Sequence, residues 1–332
     1  MAKKVSKNYR KSPVKKKALT KKLALSNPFC TGGGGTDYEN SVAAYYLVTL
    51  IGDKIVRGLG CNGSYQISLQ RRYAGNLVDD IQVTCNNGGV EKNLYLQVKH
   101  NLAFSKNQNF KKVVQECWLD YSNKKFSKKN DRIGIVISQG SYIADISKNF
   151  PSIFEMAQTS SSAADFLNKI KTSKKKFSYY KLIKETIPSN KKTKLTGTQV
   201  FDFLKCLAII PFEFEGSSAR DAEAAWNHIL ELLTIRDEKN AQFLFNGLKG
   251  LISQYSKSGG TITIDTLRSK IPAKLIKHPS DLTKNLRVTS GAILERQSAK
   301  IQALKNSKKY IPEVFIEIDD VKEKTRFFTD PT

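Results

Sequence analysis

Two strand-like stretches, Leu77 to Thr84 and Leu94 to Lys99, are separated by Asn86-Asn87-Gly88-Gly89. That pattern constrains the fold more than any other in this 332-residue chain. Period-two alternation is the signature of a strand with one face buried, and Asn and Gly accept the positive φ that a tight hairpin demands. The ends of the hairpin carry chemistry: Asp79-Asp80 opens one strand and Gln97-Val98-Lys99 closes the other. Alternation sets Gln97 and Lys99 on one face and turns Val98 toward the core. An acid on the adjacent strand can reach the same face as Gln97 and Lys99.

The flanking sequence places this hairpin in a larger unit. Val42, Tyr45, Tyr46 and Leu50 recur at helical spacing and predict a helix from Asp37 to about Arg57. Tyr65 to Leu69 predicts a first strand. Phe110, Val113, Val114, Cys117, Trp118 and Tyr121 form the apolar face of a second helix, and Ile133 to Ile137 predicts a buried strand. The expected order is helix, three strands, helix, strand. Gly32 to Gly35 read as a flexible leading loop, because no Gly-Lys-Ser/Thr follows to make a phosphate loop. Beyond about residue 145 the pattern is mainly helical. Ser218 is placed to cap a helix running through Trp226 and Leu233, and another helix is expected from about Glu238 to Tyr255.

Charge divides unevenly along the chain. The total is +25, yet residues 37–100 hold six charges of each sign. Residues 1–36 hold ten basic residues and no acid, and residues 101–200 hold nineteen basic against seven acidic. A basic surplus of this size calls for a polyanionic partner, and phosphate-backbone contact suits the middle hundred residues best. Five scattered cysteines without a CxxC pair support neither a disulfide frame nor a zinc knuckle. The longest apolar run, Val42 to Ile51, is half the length a bilayer requires, so no membrane partner is expected. With no secretory signal in the first residues, the expected location is the cytoplasm.

Hydrolysis of a phosphodiester by water calls for a hard divalent cation on carboxylate or carbonyl oxygens, together with a fixed lysine. Asp79 or Asp80, Gln97 and Lys99 supply both, and Glu39 in the first turn of the preceding helix is a further oxygen donor. Three histidines and no G-x-S-x-G elbow leave little for a nucleophile-and-histidine scheme.

The stretch Asp79-Asp80-Ile81-Gln82-Val83 with Leu96-Gln97-Val98-Lys99-His100, inside that element order, resembles the PD-(D/E)xK restriction-endonuclease-like nucleases in their QxK variant. Within that group it looks like the nuclease effectors of bacterial antiphage systems. These include the double-stranded-DNA endonucleases tied to cyclic-oligonucleotide signalling (CBASS) and the nuclease heads of antiviral STAND ATPases (Avs). The glycine-rich loop before Glu39 and the Phe203-Leu204-Lys205 to Phe212 stretch fit the same group.

The resemblance implies an α/β restriction-endonuclease-like core over residues 31–150, after a basic disordered tail (1–30) and before a mainly helical region (151–332). It implies Asp80 as principal metal ligand with Asp79 as runner-up, Gln97 either on the metal through its carbonyl or orienting the water, and Glu39 in support. Lys99 becomes the catalytic lysine, and His100 orients its neighbours. The implied cofactor is Mg2+, with Mn2+ as a substitute, and the implied substrate is DNA cut with little sequence preference. Activation through homo-oligomers is also implied. Tyr310 to Val314 and Arg326-Phe327-Phe328 resemble the segment leading into a STAND NTPase module, so a linked or partner NTPase or sensor domain is expected. The readings weighed against this are a non-enzymatic basic nucleic-acid-binding protein, an RNase on the same fold, and an inactive nuclease-like scaffold.

Overall fold

The computed structural model describes residues 33–138, 143–188, 195–214, 219–272 and 275–277. The basic N-terminal tail, Ser218, His278 and the C-terminal stretches around Tyr310 and Arg326 lie outside the described residues.

A six-stranded mixed sheet carries the molecule, in the spatial order β5-β4-β3-β2-β1-β6. Its first elements follow the expected order: α1 (Gly33–Ile51), β1 (Ser64–Leu69), β2 (Ile81–Asn87), β3 (Val90–Lys99), α2 (Gln108–Tyr121) and β4 (Arg132–Ser138). Strands β1, β2 and β3 form an antiparallel meander, and β4 then runs parallel to β3. The turn between β2 and β3 is two residues long, with Gly88 at φ 61° and Gly89 at φ 81°. Both central residues therefore take the positive φ of the hairpin turn whose twist matches the strands.

Three boundaries and two strands differ from the sequence expectation. The first helix starts inside the glycine run and stops at Ile51, where the chain turns through Asp53 at φ 46°. Glycine costs a helix roughly 0.5–1 kcal/mol per position, which burial of Tyr38, Val42, Tyr46 and Leu47 outweighs. Strand β2 begins at Ile81 rather than Leu77, because the Asp120 carboxylate takes the Leu77 and Val78 amides before they can join a ladder. Two strands also come from the half expected to be helical. Strand β5 (Leu207–Phe212) pairs parallel to β4, and β6 (Thr261–Thr263) pairs with β1. The apolar run Leu-Ala-Ile-Ile suits an edge strand of a parallel pair that helices cover on both faces.

Nine α-helices occur among the described residues. After α3 (Ile143–Thr159), α4 (Ala163–Lys171), α5 (Lys174–Thr186) and α6 (Gly197–Lys205) come α7 (Arg220–Leu232), α8 (Glu238–Ser256) and α9 (Ile264–Lys270). They cover both faces of the sheet. Leu94, Leu96, Val98, Val136 and Ile210 pack with α1, α7 and α8. Ile133, Ile135, Ile137, Leu207 and Ile209 pack with α2 through α6. No described helix is long and apolar enough to cross a membrane.

Gly134 in β4 sits where this packing is tightest. A Cβ there would lie 2.6 Å from Leu96 and 2.7 Å from Ile210. Gly134→Ala should destabilise the fold by about 1–3 kcal/mol through overpacking. Urea unfolding of the variant checks this, with a lower midpoint at unchanged slope as the expected result.

Candidate active site

The register of the sheet decides what faces what. Leu94, Leu96 and Val98 of β3 point into the α1 side, so Tyr95, Gln97 and Lys99 take the opposite face, toward α2. Ile81 pairs with Leu96, which leaves Asp80, one residue before β2, beside the end of β3.

Asp80 is the centre of a compact constellation. Its Oδ2 accepts hydrogen bonds from Gln97 Nε2 at 2.5 Å, from the Val98 amide at 2.7 Å and from Lys99 Nζ at 3.3 Å. Lys99 Nζ also donates to its neighbour's carbonyl, Val98 O, at 3.0 Å, which fixes the ammonium group. Asp80 and Gln97 are buried, and Lys99 is about one-third exposed. With its Nε2 committed to a carboxylate, Gln97 must direct its carbonyl the other way. That Oε1 is buried and has no hydrogen-bond partner. Leaving a buried acceptor unmatched costs about 1–3 kcal/mol.

Around this centre lies a cleft of about 410 Å3, lined by Glu39 of α1, Asp79, Asp80, Gln97, Lys99 and His100, with Lys112 and Glu116 of α2 opposite. All five carboxylate, amide and lysine candidates from the sequence therefore line one cavity. Asp80, not Asp79, makes the contacts with Gln97 and Lys99. The ring of His100 meets Tyr38 edge-on, with centroids 5.0 Å apart.

Several positioning residues carried no sequence signal. Asp120, near the end of α2, accepts from the Leu77 amide at 2.9 Å and the Val78 amide at 2.7 Å, so it fixes the segment that delivers Asp79 and Asp80. Gln70, in the left-handed region at φ 50°, donates through Nε2 to Glu39 Oε1 at 2.5 Å. Arg72 pairs with Glu116 at 2.8 Å across the cleft.

Gathering acids in a largely buried cleft has an electrostatic signature. Burial pushes Glu39 up to about 8, with Asp80 adding to the rise while Lys99 and Gln70 oppose it. Burial pushes Asp79 up to about 7, with Asp80 raising it further and Arg72 pulling back. Like charges this close accommodate each other by holding protons or by sharing a cation.

Among the described residues no group of three or more His, Cys, Asp or Glu side chains stands ready to hold a metal, so a cage built from carboxylates alone is absent. The buried, unpartnered Gln97 carbonyl beside Asp80 is the missing kind of ligand, a hard oxygen of the sort Mg2+ prefers. The residues fit one hard cation.

No protein-family profile matches the chain, and no curated protein matches it. Among solved structures, it is similar to the Acinetobacter baumannii Cap4 SAVED/CARF-domain containing receptor with the cyclic trinucleotide 3'3'3'-cAAA, at TM-score 0.41 and 14% identity. That match covers 71% of this chain and 46% of the other. The Moraxella osloensis Cap4 SAVED/CARF-domain containing receptor gives a TM-score of 0.38 at 13% identity, over 72% of this chain and 47% of that one. The chain thus spans under half the length of the structures it matches.

The raised acids give a pH test. Glu39 binds its proton more tightly folded than unfolded, so its ionisation opposes folding. That penalty is absent below about 4.5 and grows as pH rises toward about 8. Without divalent ions, Glu39→Gln should flatten the fall in melting temperature across this range. Equal slopes for parent and variant would place the strain elsewhere.

Proposed function

We propose that this chain is a metal-dependent endonuclease that hydrolyses phosphodiester bonds of DNA, acting on double strands with little sequence preference. The observation that carries the reading is the convergence of Asp80, Gln97 and Lys99, with the Gln97 carbonyl buried and without a partner. Asp80 and Gln97 Oε1 would hold a Mg2+ or Mn2+ ion, with Glu39 in support. When bound, such an ion polarises the phosphoryl group and makes water acidic enough to supply hydroxide.

The protein's own groups do the rest. The Val98 amide and Gln97 Nε2 hold the Asp80 carboxylate still. Lys99, anchored on Val98 O, presents an ammonium group that orients the attacking water and offsets negative charge building on the phosphate. Arg72 and Lys112 also line the cleft, both paired with Glu116. The role as effector of an antiphage defence system, with activation by clustering and an NTPase or sensor partner, rests on the motif resemblance.

Plasmid DNA incubated with the purified chain tests this. Nicking and linearisation should require Mg2+ or Mn2+, stop on chelation, and increase steeply with protein concentration. Lys99→Ala should lower the cleavage rate by at least about a hundredfold while the melting temperature stays near that of the parent. A Lys99→Ala protein that cuts as fast as the parent overturns the assignment. Cleavage of RNA but not DNA would move the substrate to the other polymer.

A further inference from the structure

Helix α5 (Lys-Lys-Lys-Phe-Ser-Tyr-Tyr-Lys-Leu-Ile-Lys-Glu-Thr) carries five lysines and one acid in thirteen residues. Its buried side is Tyr180, Ile183 and Thr186. Lys174, Ser178, Lys181 and Glu185 recur at i, i+4, i+7 and i+11, so they form one stripe, and all four are exposed. Lys184 flanks the stripe and Lys171 precedes it, both exposed.

Part of this arrangement serves the helix, since Lys181 lies over the Phe177 ring at 4.5 Å and Lys184 sits in the last turn, but the lysines of the first turn do not. The first turn holds three lysines and no acid, at the end where the helix dipole favours acids. No carboxylate among the described residues pairs with Lys171, Lys174, Lys181 or Lys184. Elsewhere the fold does place acids beside its surface lysines, as at Lys54–Glu231 and Lys169–Asp165.

The stripe is also continuous with the cleft. Glu185 pairs with Lys106 at 3.1 Å, and Lys106 lies between Leu102 and Asn109, both of which line the cavity. Gln115 of α2, next to the cleft residue Glu116, donates to Thr186 O at the end of α5. From that junction α5 runs for about 20 Å. Along the duplex axis the phosphates of one strand recur every ~3.4 Å, so the length of the helix matches the axial rise of roughly six of them.

We propose that Lys171, Lys174, Lys181 and Lys184 form a sugar-phosphate-tracking surface that holds the flank of a DNA duplex whose scissile phosphate lies in the cleft. The proposal rests on the nuclease reading for the place of the cut, and on the charge pattern alone for the binding. It adds a contact outside the cleft that carries no sequence information, in keeping with cutting of low specificity.

The test compares the full chain with a quadruple Lys→Gln variant and a quadruple Lys→Arg variant at these positions. Binding of a 20-base-pair duplex is measured without divalent ions at several salt concentrations. Each phosphate contact contributes about 0.9 to the slope of log affinity against log salt, so the Gln variant should lose about three to four from that slope. The Arg variant should keep the parental slope. An unchanged slope in a folded Gln variant overturns the surface, even if the parent cuts plasmid, and so does binding to anionic vesicles without binding to duplex. A lost slope with no cleavage by the parent supports the surface and removes the nuclease reading.

Discussion

The Asp80 carboxylate, gripped by the Val98 amide, Gln97 Nε2 and Lys99 Nζ, is the contact on which the cleft depends. It joins the start of β2 to the end of β3 at the point where the strands diverge. It also dictates the orientation of Gln97: once Nε2 serves the acid, Oε1 is left buried and unpaired. Hydrogen bonds to a charged acceptor are roughly twice as strong as neutral ones, so this orientation is held firmly. The rest of the fold supports it. Asp120 secures the segment before Asp79, and the two-glycine turn sets the register that brings Asp80 beside Gln97.

The same placement creates electrostatic strain. Asp79, Asp80 and Glu39 share a largely buried cleft whose nearest cations are Lys99 and Arg72, and Arg72 is already paired with Glu116. Burial and mutual repulsion raise two of the acids far above the usual carboxylate range. A protein gains no stability from such an arrangement. On the proposed reading, a divalent cation would relieve the repulsion and match the free Gln97 carbonyl at once.

The hairpin was legible because its signals are local. Alternation and the Asn-Asn-Gly-Gly turn specify the pairing, and pairing alone sets Gln97 and Lys99 on one face. The order of the first six elements followed from periodicity in the same way. Asp120 was not legible, since its meaning depends on amides 42 residues away. Strand β5 was missed because a four-residue apolar run between helical stretches has no distinctive period, and only the parallel edge of β4 makes it a strand. Gln70 likewise reaches Glu39 only because a left-handed backbone aims it there.

The central claim is that Asp80 and the Gln97 carbonyl seat one hard cation. Crystals of the chain soaked in Mn2+ and measured at the manganese absorption edge test it directly. The account predicts one anomalous peak in the cleft, with Asp80 and Gln97 Oε1 about 2.0–2.3 Å from it. A cleft without that peak at saturating Mn2+, with Lys99 still on Asp80, would contradict it.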